Sequence, residues 1–168
     1  MKKTLLVSAL VALSSLSGLA VAVTATGSFD VKLKVLKACS VSAGNAIDFG
    51  SVASSSTTDI EKNTTISVVC SNKLSYNIGL TSTNNSGDNT GLGKMAGATS
   101  GNNDKPSYQL RQNTGTGPIW GSSIGTNTVA ATGDGKAQSR TVYATLLGSR
   151  LNVQADDYSD KVTVTVTY

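Results

Sequence analysis

The sequence predicts an all-β protein, an antiparallel sandwich of short strands. Composition is the first reason: 17 Gly and only two Pro sit among abundant Ser, Thr, Asn and Val, with few long helix formers, a balance that suits pleated, half-buried strands. The second is unbroken alternation of apolar and polar residues near both ends, at Phe29-Asp30-Val31-Lys32-Leu33-Lys34-Val35 and at Val162-Thr163-Val164-Thr165-Val166-Thr167-Tyr168. The third is turn chemistry. Gly-, Asn- and Asp-rich stretches separate the short apolar runs, no convincing amphipathic helix lies between them, and that pattern favours antiparallel pairing over a parallel sheet.

In chain order, Met1-Lys2-Lys3 and the apolar run from Leu5 to Leu13 lead to small residues at Ala20 and Ala22. This reads as a signal peptide, residues 1–22, cut after Ala22. Its apolar stretch is too short to cross a bilayer, and no later segment approaches the ~20 continuous apolar residues of a membrane helix. The mature chain is therefore expected to be soluble and translocated, with no membrane insertion. Strands are then predicted at 29–35, where Val23, Ala25 and Gly27 continue the parity, and at 38–41, 47–49, 64–70, 75–81, 108–112, 141–147 and 162–168. Loops fall at 84–91, 101–104 and 133–135, and neither a repeat nor a shift in composition marks a second globular domain. Cys39 and Cys70 are the two cysteines of a chain bound for an oxidising compartment. An internal disulfide is expected, against the alternatives of free thiols or pairing between chains, and closing its loop stabilises a fold by on the order of 3 kcal/mol.

Several chemistries are excluded or disfavoured. Without Lys2 and Lys3 the chain has twelve bases against ten acids, so it offers little long-range steering and no basic patch for nucleic acid. There is no histidine, which removes Ser-His and Cys-His nucleophiles and the commonest transition-metal ligand. Asp156-Asp157-Tyr158-Ser159-Asp160 is the densest acidic cluster; it lacks EF-hand spacing and reads as a polar turn that uses Asp and Ser for local hydrogen bonds. Gly87 to Lys94 misses the phosphate-loop spacing by one residue, with Met95 where Ser or Thr should stand, and Gly91 to Gly97 misses the dinucleotide spacing. The sequons at Asn63 and Asn84 are of the short kind that recur by chance in such a chain. Trp120, the single tryptophan, is read as a packed side chain and not as a sugar platform. No catalytic, metal or cofactor residues are assigned, and the chain is not read as an enzyme.

Four features in order resemble the spore coat protein U family, which includes subunits of archaic chaperone–usher pili. They are Asp30-Val31-Lys32-Leu33-Lys34-Val35 ahead of Cys39-Ser40-Val41, the run Ile66-Ser67-Val68-Val69-Cys70, the pair Trp120-Gly121, and the ending from Tyr158 to Tyr168. The resemblance implies an incomplete immunoglobulin-like β-sandwich lacking its last strand, with an N-terminal donor strand. It implies a donor-strand extension at 23–36 and a pilin domain at 37–168. Phe29, Val31, Leu33 and Val35 would be the donor's inward residues, and Val162, Val164, Val166 and Tyr168 would form the acceptor groove and chaperone edge. The implied partners are identical or related pilus subunits, a periplasmic chaperone and an outer-membrane usher. The implied destination, reached through the periplasm, is a fimbrium on the cell surface serving attachment and biofilm formation.

By pattern alone, 29–35 also fits an ordinary first strand folded into its own, complete sandwich. The competing functions are a monomeric secreted lectin or adhesin of sandwich fold and a non-fibrous coat or matrix protein.

Overall fold

A computed structural model describes residues 22–168. The predicted signal peptide, but for its last residue, lies outside the described residues. Among these, ten strands follow in chain order: β1 (Cys39–Ser42), β2 (Ile60–Cys70), β3 (Ser75–Ser82), β4 (Leu92–Lys94), β5 (Ala96–Gly97), β6 (Ser107–Arg111), β7 (Val129–Thr132), β8 (Ala137–Leu146), β9 (Tyr158–Ser159) and β10 (Val162–Thr167). No helix among the described residues is long and apolar enough to cross a membrane.

The chain divides between Lys34 and Val35. The described residues before that point carry no strand. Phe29, Val31 and Leu33 are 88%, 86% and 87% exposed, so the strand predicted at 29–35, half-buried by its alternation, has neither a ladder nor a buried face. Alternation marks which side chains a strand would bury; it does not supply the surface to bury them against.

From Val35 onward the fold is an antiparallel sandwich. One sheet has the order β1-β2-β8-β6-β4, the other β10-β3-β7, and β5 pairs with β9 as a short separate ribbon. Alternate residues build the core between the larger sheets. Ile66, Val68 and Cys70 of β2, Val142 and Ala144 of β8, and Tyr108 and Leu110 of β6 meet Tyr76, Ile78 and Leu80 of β3. Ridges of β-branched, aromatic and leucine side chains from both inner faces interdigitate there, as two-layer packing requires.

The strands β2 and β8 are longer than predicted. Each begins four residues early because the two pair with each other from Ile60↔Leu146 to Val69↔Ala137, and that ladder holds Glu61, Lys62 and Arg140 in strands they do not favour alone. The stretch predicted as a strand at 47–49 joins no sheet. Its Ile47 and Phe49 nevertheless pack, half-buried, against the core.

The expected disulfide is present: Cys39 opposes Cys70 in the β1–β2 register and is bonded to it. β1 is short and mostly exposed, and the bridge adds a covalent fastening to its four-pair ladder with β2. Replacing both cysteines with alanine is expected to lower stability by about 3 kcal/mol, read as a reduced midpoint in urea unfolding.

Candidate functional site

The terminal strand is an edge. β10 is hydrogen-bonded to β3 and lies at the end of its sheet, with Val164 opposite Leu80 and Thr165 opposite Gly79. The Thr83 N–H donates to the Lys161 carbonyl at 2.8 Å, whereas the Leu80 N–H points away from β10 and donates to Gly121 at 2.9 Å. In an antiparallel ladder, hydrogen-bonded and non-bonded pairs alternate. It follows that Thr163 and Thr165 bond to β3 while the backbone N–H and C=O groups of Val162, Val164 and Val166 face the open edge. The same three valines turn their side chains onto the core. This edge therefore offers unpaired backbone groups and apolar contact at the same positions.

Beside it lies a groove of about 930 Å³. Residues 43–54, which join no sheet, and 153–162, leading into β10, contribute to its lining. Core side chains from four strands line it too, among them Ile66, Leu80, Leu110 and Val142. Gly44 is what lets the first of these segments approach β2, because a Cβ there would overlap the Thr65 carbonyl. A recess with apolar residues in its lining, next to an unpaired strand edge, is the kind of surface to which an extended chain adds.

A hydrogen-bond cluster fixes where β10 begins. The Asp160 carboxylate accepts from the Ser82 hydroxyl, from the Tyr108 hydroxyl at 2.6 Å and from the Asn84 N–H at 3.1 Å. Asn84 Nδ2 donates to the Ser159 carbonyl. Tyr108 lies across β4 because its cross-strand partner is Gly93, where a Cβ would overlap the ring. Burial, reinforced by the hydrogen bond to Asp160, pushes the Tyr108 phenol far above its usual range, so it stays a donor.

The family model described as the Spore Coat Protein U domain matches residues 25–165. The chain belongs to the spore coat protein U domain family. A chain of the CsuC–CsuE chaperone–tip adhesion subunit pre-assembly complex, from archaic chaperone–usher Csu pili of Acinetobacter baumannii, is similar in structure to this spore coat protein U domain. The TM-score is 0.52 and the identity 18%, over 80% of this chain and 40% of that one. The likeness is one of fold, and the domain spans about 40% of the length of the chain it matches. A search of curated proteins finds no match.

The spore coat protein U domain brings some of the predicted residues together and leaves others apart. Val162 and Val164 line the groove, and Val166 continues their face along β10. Tyr168 follows the last ladder residue and is 56% exposed, so the strand ends one residue earlier than predicted. Val35 is 79% exposed, like the apolar residues before it. Trp120 is packed as expected, with its indole N–H donating to the Ile78 carbonyl at 2.9 Å. The acidic turn was expected to bond locally. One such bond is present, from the Asp157 N–H to the Asp156 carboxylate, and the carboxylates also reach across the chain, Asp160 as above and Asp156 to Thr99 and Asn102.

The hydrogen bond from Asn102, followed by that from the Thr99 N–H, pulls the Asp156 carboxyl from its ordinary 3.8 down to about 2. A folded value below the unfolded one means that this anchoring is complete above 3.8 and fades as pH falls toward 2. Thr99 amide protection is expected to decrease across that interval in hydrogen-exchange measurements and to be pH-independent there in Asp156→Asn.

Proposed function

We propose that this chain is a structural subunit of a chaperone–usher pilus, polymerising by donor-strand exchange for surface attachment and biofilm formation. The observation that carries this reading is the coincidence at β10: an unpaired edge whose Val162, Val164 and Val166 present backbone groups outward, beside an apolar groove. Family membership supports it, as does the fold shared with a chain from a chaperone–subunit complex. The family match also begins at residue 25 and so takes in the N-terminal segment.

In this mechanism a periplasmic chaperone first lends a strand to the groove. At the outer-membrane usher, the segment 23–36 of the next subunit replaces it, seating Phe29, Val31, Leu33 and Val35. These four side chains are exposed in the single chain; burying them contributes roughly 6–12 kcal/mol before ordering costs. The added strand also pairs the edge of β10. Subunits thus cross the periplasm singly, each with its chaperone, and the fibre forms at the usher and emerges on the cell surface.

Expressed without a chaperone, the mature chain is expected to self-associate into a ladder of species, because its groove is open to any matching strand. A stable, soluble monomer at high concentration would overturn this reading in favour of a complete sandwich.

A further inference from the structure

The lining of the groove is acidic on balance. Asp48, Asp156, Asp157 and Asp160 belong to it, against Lys161 as its one base. The donors that Asp156 and Asp160 accept from are neutral: the hydroxyls of Ser82, Thr99 and Tyr108, and amides of Asn84, Thr99, Asn102 and Asp157. Their negative charge is thus held in place but not cancelled.

The segment 23–36 has the opposite sign, with Lys32 and Lys34 against Asp30. Its alternation puts Lys32 and Lys34 on the side opposite Val31 and Leu33, so a strand seated by its apolar face carries these lysines at the groove mouth. Lys32 lies 3.1 Å from Asp30, but both are more than three-quarters exposed, and an exposed pair of this kind holds its lysine weakly.

We propose that the groove selects its incoming strand by charge as well as by apolar fit, and that the strand so selected is the N-terminal segment of a second copy of this chain. This selection presupposes the strand exchange proposed above and adds to it a reason for like joining like. Opposite charges on segment and rim speed the encounter and discriminate against acidic strands of equal hydrophobicity.

The test compares self-association of the full mature chain with that of Lys32→Glu/Lys34→Glu, following the polymer ladder at low salt and at 1 M salt. The altered lysines are on the exposed segment and leave the sandwich intact. At low salt the variant is expected to polymerise about tenfold more slowly. The difference should vanish at 1 M, where charges are screened beyond about 3 Å. Adding Asp157→Lys, an exposed rim position, to the same chain should restore much of the low-salt rate. A variant that polymerises like the parent at low salt would overturn charge selection while leaving strand exchange standing. A parent chain that forms no ladder would overturn both.

Discussion

Val31→Asp, and likewise Leu33→Asp, is expected to abolish surface polymers while leaving a soluble one-to-one complex with the periplasmic chaperone. In the proposed strand exchange, either change puts a carboxylate on the face of the segment that would enter a neighbour's groove, where an unpaired charge is strongly disfavoured. Both side chains are exposed in the single chain, so the sandwich itself loses nothing. Val164→Asp should behave differently. Val164 packs its side chain against the core and lines the groove, whichever strand occupies it, so folding and chaperone capture should fail together. Co-purification with the chaperone, run beside a ladder assay for surface polymer, separates the two. Loss of the chaperone complex in Val31→Asp as complete as in Val164→Asp would place the segment within the subunit's own fold.

Trp120→Ala is expected to be the most destabilising single truncation, by about 3–5 kcal/mol. The side chain is 1% exposed, and its loss leaves both a large cavity and the Ile78 carbonyl without its indole donor. Trp120→Phe separates the contributions: it keeps most of the volume and forfeits the hydrogen bond, for about 1–3 kcal/mol. Urea unfolding of the two variants measures the difference. Similar losses in both would mean that the indole N–H, and not the packed volume, dominates.

Where apolar side chains alternate and a partner strand lies close, the sequence was a good guide. β3, β6 and β10 fall within a residue of their predicted ends, because Tyr76, Ile78 and Leu80, or the valines of β10, mark one face by themselves. The strands β4, β5, β7 and β9 were not legible. They read Leu-Gly-Lys, Ala-Gly, Val-Ala-Ala-Thr and Tyr-Ser, too short or too poor in β-branched residues for local preference to show, and they exist because a neighbour completes their ladders. The terminal valines of the candidate site were visible in advance. Its remaining groove was not, since Ile66, Leu80, Leu110 and Val142 belong to four strands that only the topology brings to one opening. Asp160 was hidden for a related reason: its partners Ser82 and Tyr108 lie 78 and 52 residues away. The N-terminal segment is the converse, a clear strand pattern with no strand, because periodicity reports what a segment could cover and not where that surface is.

Tension gives the Cys39–Cys70 bond a significance beyond equilibrium stability. A pull on the chain ahead of Ala38 reaches β1 at its first residue, and a ladder of four pairs loaded at one end would part pair by pair. Because Cys39 is that first residue and is covalently joined to its opposite, the load passes directly into β2, a strand with neighbours on both sides. The unzipping of β1 cannot start from the end being pulled. In a fibre joined through N-terminal segments, each subunit would carry drag through this one sulfur bridge, so reduction would weaken the fibre under flow sooner than it would unfold a subunit at rest.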